Sequence, residues 1–293
     1  MKKELTVITP TYNRGYILND CYRSLKEQTN MRFIWTIIDD GSTDNTEELV
    51  QQWKEEELLE VRYYKKDNGG KASALNYAFD VLDTKYWVCL DSDDTFSYNA
   101  IEMALERLSK IENDTRYCGI LALRTKKNGI PVGGKRIPEE VKEATLFELA
   151  TKYKLKTEYI EFYTTNITKA YRFPIIPGEK FISPAYLSHE LNKEYKFIVD
   201  HNTYCYCEYL ADGLTKNKLE IIKKNPVGYT LIIKQGFEKS EGFFNKSKRC
   251  IKYISGSMLS GDENFIKNSP HKLMTTLYYP VGWLAYKIRF RNK

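Results

Sequence analysis

Short apolar runs alternate with helical repeats along the N-terminal third of the chain. The runs are rich in β-branched and aromatic residues, which is typical of buried strands. They comprise Leu5–Thr9, Phe33–Ile38, Val61–Lys65 and Tyr86–Leu90. The segments between them carry apolar residues at three- and four-residue steps, as a helix with one buried face does. This alternation predicts an α/β fold with a doubly wound, parallel sheet.

The middle of the chain predicts further elements of both kinds. We expect a helix over Tyr98–Glu112 and a strand over Cys118–Arg124. Three later runs have strand composition: Glu158–Tyr163, Ile167–Tyr171 and Tyr171–Ile176.

Polar clusters follow each of the first four predicted strands. They are Thr9–Arg14, Asp39–Asp44, Asn68–Lys71 and Asp91–Asp94. Any one of them alone is ordinary turn chemistry. Because ligands bind beyond the carboxyl ends of parallel strands, all four together predict a crevice at one edge of the sheet.

The fourth cluster places three carboxylates within four residues. Crowding Asp91, Asp93 and Asp94 at the end of a buried strand is costly unless a cation offsets their charge. Mg²⁺ and Mn²⁺ prefer oxygen ligands and share them with substrate phosphates. The crevice therefore suits a metal-bound diphosphate.

The four clusters, in this order, resemble those of family 2 glycosyltransferases. The quoted motifs are Thr9-Pro10-Thr11-Tyr12-Asn13-Arg14, Asp39-Asp40-Gly41-Ser42-Thr43-Asp44, Asn68-Gly69-Gly70-Lys71 with Ala74-Leu75-Asn76, and Asp91-Ser92-Asp93-Asp94. The resemblance covers residues 3 to 125 closely and fades by residue 210. It implies the GT-A fold, a Rossmann-like and mostly parallel sheet flanked by helices. It also implies an inverting transfer of sugar from a nucleotide sugar, with a UDP-sugar favoured.

The resemblance assigns roles to residues of the crevice. Asp93 is expected to be the principal ligand of Mn²⁺ or Mg²⁺, with Asp91 directed toward the ribose and Asp94 in support. Lys71 is expected to meet uracil or phosphate. The other expected donor-binding residues are Pro10, Tyr12, Arg14, Asp39, Asp40, Asn68 and Ser92.

An inverting transferase also needs a carboxylate that deprotonates the acceptor hydroxyl. The family usually supplies it from a Glu-Asp or similar acidic pair, and this chain has no Glu-Asp pair. By position we predict Glu179 as the base, with Glu190 as the second choice. The expected division is a catalytic domain over 1–210, with a nucleotide-binding half (1–95) and an acceptor half (96–210), and a helical extension over 211–293.

Composition supports a globular protein with a basic C-terminal segment. The chain has 293 residues, 42% of them hydrophobic, and a net charge of +6. No apolar run approaches the ~18 residues of a membrane span, and the first strand begins within a few residues of Met1, so we expect neither a membrane span nor a signal peptide. We expect the six cysteines to be reduced and the protein to be cytoplasmic. We place Cys205 and Cys207 on opposite faces of a strand.

The C-terminal segment combines basic and apolar residues. Residues 246–293 contain ten basic and two acidic side chains, and apolar residues from Leu273 to Ile288 fall at helical steps. Such a segment, here 269–293, can lie on the inner face of an anionic membrane. Packing against the catalytic domain or a homodimer interface stays open. The crevice does not call for nucleic acid as a partner.

The expected acceptor is a glycan or lipid-linked saccharide in capsule or envelope polysaccharide synthesis. Two alternatives keep the crevice: a nucleotidyltransferase and a non-catalytic module that binds nucleotide sugars. Nucleotidyltransferases of this fold carry a glycine-rich loop after the first strand, whereas Thr9–Arg14 contains no glycine. The intact acids and Lys71 argue against a module without activity.

Overall fold

The computed structural model describes residues 2–207 and 218–291 and, within them, two compact units. One unit contains 2–173 and 187–207, and the other contains 174–186 and 218–291. The domain boundary predicted at residue 210 lies outside the described residues. The segment 174–186, predicted to be part of the acceptor half, belongs to the second unit.

The first unit contains one sheet with helices packed on it. Its strands are β1 (Leu5–Thr11), β2 (Phe33–Asp39), β3 (Val61–Lys65), β4 (Tyr86–Cys89), β5 (Asp94–Phe96), β6 (Tyr117–Thr125), β7 (Glu143–Ala144), β8 (Tyr159–Thr164) and β9 (Lys196–Cys207). Its helices are α1 (Gly15–Lys26), α2 (Thr46–Glu55), α3 (Lys71–Val81), α4 (Ala100–Ser109), α5 (Leu146–Thr151) and α6 (Thr165–Thr168). Helix α7 (Ala185–Leu191) spans the boundary between the units.

The strand order is β3-β2-β1-β4-β8-β6-β9-β5, with β7 added on β9. Strands β1 to β4 are mutually parallel, which confirms the doubly wound half. Beyond them the sheet is mixed, because β8 runs antiparallel to both β4 and β6. The register pairs Thr11 with Asp39 and Asp39 with Lys65. The carboxyl ends of the first three strands therefore lie at one edge.

Large aromatic side chains fill both faces of the sheet. On one face, Trp53 stacks on Tyr22 and on Trp35, with ring centroids 4.6 Å and 5.5 Å apart respectively. On the other, the rings of Trp87 and Tyr163 stack at 4.4 Å. Burial of such side chains contributes a few kcal/mol each and fixes the strands that position the crevice.

Two predicted strands are wrong. Residues 165–168 form α6 instead of starting a strand, and the segment from Tyr171 to Ile176 contains no strand. Pro174 and Pro177 flank the end of that segment and lack the N–H that a ladder requires. The aromatic and β-branched composition was therefore misleading here.

The second unit is helical. It contains α8 (Lys218–Lys224), α9 (Pro226–Glu238), α10 (Phe243–Ser260) and α11 (Lys272–Tyr286), which continues as a π-helical turn over Lys287–Arg291. A Cβ atom on Gly282 would clash with the Ile254 side chain, so this glycine permits the close packing of α11 on α10. Within the described ranges, none of the helices is both long and apolar enough to cross a bilayer.

Candidate functional site

Hydrogen bonds join the loop after β1 to the loop after β2. The Asn13 N–H donates to Ser42 Oγ at 2.8 Å, and Asn13 Oδ1 accepts from the Thr43 N–H at 2.8 Å. Asn13 has a φ of 53°, a left-handed conformation that asparagine tolerates better than most residues. The two loops thus form one wall of the crevice.

Asp39 and Asp40 organise the loops around them. Asp39 accepts from the Ser42 N–H at 2.7 Å and the Tyr63 hydroxyl at 2.5 Å. Asp40 accepts from Lys66 Nζ at 2.8 Å and from the N–H groups of Gly69 and Gly70, at 3.0 and 2.6 Å. Both carboxylates are buried and are used within the protein. Their contact with a donor stays a prediction.

The other predicted donor-binding residues also lie at the strand ends. Pro10 is the penultimate residue of β1, Tyr12 is 49% exposed, and Arg14 directly precedes α1. Asn68 donates from Nδ2 to the Asp40 carbonyl at 2.9 Å, and Ser92 is buried. Tyr12 therefore presents the most accessible ring of this set.

An ion-pair network surrounds the acidic turn after β4. Lys71, the first residue of α3, binds Asp91. Arg124 Nη1, from β6, lies 2.6 Å from Asp94 Oδ2 and 3.7 Å from Asp91 Oδ2. Burial alone would raise the pKa of Asp91, but Lys71 and Arg124 outweigh it and lower that pKa to about 2. Asp91 is therefore ionised throughout the physiological pH range.

Asp93 lies in a different environment from its neighbours. Burial, followed by repulsion from Asp91, raises the pKa of Asp93. Within 2–207 and 218–291 it makes no salt bridge, whereas Asp91 and Asp94 each have a cationic partner. A carboxylate in this position gains most from an added cation. Its oxygens are the hard ligands that Mn²⁺ or Mg²⁺ prefers, so the residues fit the metal that the sequence predicts.

Two residues of the network are not among the site residues predicted from the sequence. Arg124 lies at the end of β6 and Glu161 lies within β8. Glu161 faces the charges of Arg124, Lys71 and Asp91. No sequence motif marks them, because each is a single charged residue in an apolar strand. A charged residue is costly to bury without a partner, so its presence in a predicted core strand is the feature that would indicate a role in a site.

Burial raises the pKa of Glu161 from 4.5 to about 7. The folded state thus binds this proton more tightly than the unfolded state, and stability contributed by the protonated form is lost as pH rises from about 4.5 to about 7. We expect Glu161→Gln, which mimics the protonated form, to be more stable than the wild type at pH 8 by about 1–3 kcal/mol. The difference should vanish near pH 4.5.

Denaturant unfolding of both proteins across this pH range measures the effect. Taking the difference at each pH cancels the other titrating groups. The exposed Glu140→Gln is the matched control and should change the free energy of unfolding at pH 8 by less than Glu161→Gln does. A Glu161→Gln protein whose stability follows the wild type at every pH would contradict a raised pKa.

Glu179, the predicted base, caps a helix in the second unit. Its Oε1 accepts from the Val227 N–H at 2.7 Å, and its Oε2 accepts from the Gly228 N–H at 2.8 Å. These donors belong to the first turn of α9, where a negative charge is favourable. The contact explains Glu179 without catalysis, so its role as a base stays a prediction. The second choice, Glu190, forms an ion pair in which its Oε2 lies 2.7 Å from Lys193 Nζ.

Comparison with known proteins agrees with the fold and the strand-end motifs. The sequence model described as "Glycosyl transferase family 2" matches residues 6–174, which is more than half of the chain. The protein therefore belongs to glycosyl transferase family 2. This match includes the four polar clusters and confirms the resemblance found in the sequence.

Among curated relatives, the teichoic acid poly(glycerol phosphate) polymerase of Staphylococcus epidermidis is 32% identical over 110 residues. That alignment covers 37% of this chain and 15% of the polymerase. The chain spans less than half the length of this and other curated relatives that it matches.

Solved structures share the fold over nearly the whole chain. The structure of S. aureus TarS 1-349 in complex with UDP-GlcNAc has a TM-score of 0.59 at 17% identity and covers 97% of this chain and 92% of that one. The structure of the mannosyltransferase PcManGT from Pyrobaculum calidifontis, in complex with GDP-Man and Mn²⁺, has a TM-score of 0.57 at 15% identity. The match covers 100% of this chain and 76% of PcManGT. These similarities confirm the GT-A fold.

Proposed function

We propose that the protein is a metal-dependent, inverting glycosyltransferase. It moves a sugar from a nucleotide sugar, with a UDP-sugar favoured, to a glycan or lipid-linked acceptor in bacterial envelope or capsular polysaccharide synthesis. The observation that carries the proposal is the set of four polar loops that follow the parallel strands β1 to β4, all within the family match. The complexes of TarS with UDP-GlcNAc and of PcManGT with GDP-Man support a nucleotide sugar as donor.

In this proposal the loops after β1 and β2 hold the nucleoside. Tyr12, which is exposed, offers its ring to the base, and the wall joined by Asn13 and Ser42 keeps that ring in position. Arg14 at the start of α1 adds a positive charge beside the site. Asp40 acts indirectly, because its bonds to Gly69 and Gly70 shape the loop that precedes Lys71.

The acidic turn holds the diphosphate end of the donor. Asp93 would hold Mn²⁺ or Mg²⁺, with Asp91 and Asp94 near it, and the bound ion would neutralise charge on the leaving diphosphate. Lys71 is anchored on Asp91 and presents a second positive charge at the N-terminus of α3. Arg124 holds Asp94 and Asp91 in place through its ion pairs with both carboxylates.

A binding screen tests the proposed donor. Each of UDP-GlcNAc, UDP-glucose, UDP-galactose and GDP-mannose is added with Mn²⁺, and the thermal midpoint of the full chain is measured. A ligand that binds the folded state raises the midpoint by mass action. We expect a UDP-sugar to give the largest increase, and equal increases with all nucleotides or none would argue against the proposal.

Glu179→Gln separates catalysis from helix capping. If Glu179 is the base, transfer falls by roughly two to four orders of magnitude while donor binding persists, because glutamine cannot accept the proton. If it only caps α9, the free energy of unfolding falls by about 1 kcal/mol and turnover is unchanged. Single-turnover rates and urea unfolding of Glu179→Gln and Glu190→Gln distinguish these outcomes.

The apolar face of α11 supports membrane contact through 269–293. Leu273 and Leu277 on α11 are 75% and 69% exposed, and Ile288 on the following turn is 64% exposed. Lys272 and Arg289 are exposed on the same segment. We propose that this face lies on the inner surface of the plasma membrane, where burial of apolar side chains adds to the attraction of basic residues for anionic lipid.

Serine substitution of Leu273, Leu277 and Ile288 together should release the protein from anionic vesicles. Because these side chains are already exposed, the substitutions should change folding stability little. Basic residues contribute about 1 kcal/mol each near the surface, so binding of the wild type should also weaken as salt rises. Flotation with phosphatidylserine-containing vesicles measures both effects.

The control is a second triple variant with serine at Leu58, Ile130 and Ile175, which are 55%, 50% and 63% exposed and lie elsewhere. It should float like the wild type. Equal flotation of both variants, or none for the wild type, would overturn the membrane proposal. Loss of a dimer in sedimentation, without any flotation, would assign the face to a homodimer.

A further inference from the structure

Two thiols lie together beside the acidic turn. Cys205 and Cys207 are two residues apart on β9, and their Sγ atoms are 3.8 Å apart. The expectation that they face opposite sides of the strand is wrong, because side chains two residues apart in a strand share a face. Cys205 is buried and Cys207 is partly exposed.

The third member of the cluster comes from the neighbouring strand. Strands β5 and β9 are antiparallel, and their register places Asp94 directly opposite Cys207. Directly opposite residues project from the same face of a sheet. The ligand atoms of Asp94, Cys205 and Cys207 all lie within 4.8 Å of one another.

The spacing of the sulfurs matches a tetrahedral metal site. Two thiolates bound to zinc at about 2.3 Å in tetrahedral geometry are about 3.8 Å apart. This is the distance between Cys205 Sγ and Cys207 Sγ. A carboxylate oxygen is a common third zinc ligand, and three protein ligands leave a fourth position open. The cluster therefore needs little rearrangement to bind such an ion.

Arg124 completes the charge balance of this cluster. Two thiolates, one carboxylate and one divalent ion together carry a single negative charge. The Arg124 guanidinium lies 2.6 Å from Asp94 Oδ2 and 4.0 Å from Cys207 Sγ, so it can neutralise that charge. The close contact of Arg124 is with Oδ2, so a metal at this cluster would bind the other carboxylate oxygen of Asp94. A hydrogen-bonded partner behind a ligand carboxylate is the usual arrangement at metal sites.

We propose that Cys205, Cys207 and Asp94 bind a thiophilic divalent cation, with Zn²⁺ as the ion that fits. Binding forms two metal–sulfur bonds and one metal–oxygen bond, and the two thiol protons pass to solvent. Soft thiolates select Zn²⁺, Cd²⁺ or Co²⁺ over Mg²⁺ and Mn²⁺, which prefer oxygen. The site therefore selects a different ion from the predicted Mn²⁺ or Mg²⁺ site at Asp93, although Asp94 adjoins both, and it does not depend on the proposed function.

Titration of the reduced full chain with Co²⁺ and Cd²⁺ tests the site. We expect the visible bands of tetrahedral Co²⁺ and the ultraviolet thiolate-to-Cd²⁺ band, each saturating at one ion per chain. Zn²⁺ should displace Co²⁺, and a hundredfold excess of Mn²⁺ should not. Cys205→Ser and Cys207→Ser should each remove the bands. Cys89→Ser, which removes a thiol 3.8 Å from Asp91 Oδ1, should retain them.

A second measurement needs no variant. Cys207 is the partly exposed thiol of the cluster, so Zn²⁺ should slow its alkylation by iodoacetamide at least tenfold, as measured by mass spectrometry of the peptide. Absence of thiolate bands in the wild type, their persistence in the Cys205→Ser/Cys207→Ser double variant, or unchanged alkylation with Zn²⁺ would each overturn the proposal.

Discussion

Asp93→Ala is expected to reduce sugar transfer by roughly 1000-fold or more and to remove Mn²⁺-dependent binding of UDP. Asp93 is the acid of the turn that has no salt-bridge partner within the described residues, and its pKa is raised by burial and by Asp91. Without it, the diphosphate would face Asp91 and Asp94 with less compensating charge. A loss of several kcal/mol of electrostatic stabilisation corresponds to a factor of this size.

Isothermal titration with UDP, with and without Mn²⁺, and an assay of released UDP measure the two effects. The control is Asp20→Ala, which removes an exposed carboxylate from α1. It should bind and turn over like the wild type. Turnover of Asp93→Ala at the wild-type rate would show that the assignment of the metal ligand is wrong.

Arg124→Met is expected to destabilise the protein by about 3–5 kcal/mol. The Arg124 side chain is 15% exposed and its contact Asp94 is 7% exposed. Removing the guanidinium leaves Asp94 buried without its partner, and an uncompensated buried charge is strongly destabilising. The pKa of Asp94 is already raised by burial, an effect that Arg124 opposes, so loss of Arg124 should raise it further.

Urea unfolding at pH 7 measures this effect. Arg116→Met is the matched control, because Arg116 forms an ion pair of 2.7 Å with Asp114 but its side chain is 72% exposed. Exposed ion pairs contribute less than about 1 kcal/mol to stability. The double variant Arg124→Met/Asp94→Asn should recover much of the lost stability. Equal effects of Arg124→Met and Arg116→Met would contradict a buried ion pair.

The sequence predicted the nucleotide half of the fold well for a physical reason. Strands β1 to β4 and the helices between them have strong, local hydrophobic periods. Their pairing is parallel throughout: β1, β2 and β3 pair in chain order, and β4 adds to the other side of β1. The polar loops could be located because a parallel sheet brings the ends of its strands together. The sequence alone therefore predicts that the clusters at Asp39 and Asp91 lie at one edge of the sheet.

The second half depends on contacts that no local pattern contains. Strand β9 pairs with β5, β6 and β7, which come from distant parts of the sequence. Glu161 joins the site through the pairing of β8 with β4 and β6, and Arg124 joins it through the place of β6 between β8 and β9. Glu179 was chosen by position alone, and its bonds to α9 involve residues almost fifty positions away. Long-range pairing of this kind cannot be read from periodicity.

The most direct test of the proposed function is the fate of the donor. The full chain is incubated with UDP-GlcNAc and Mn²⁺, with and without a lipid-linked saccharide acceptor, and products are followed by NMR. We predict release of UDP, inversion at the anomeric carbon, loss of both with a chelator and recovery with added Mn²⁺. Release of UMP or pyrophosphate instead, or retention of the anomeric configuration, would contradict an inverting glycosyltransferase.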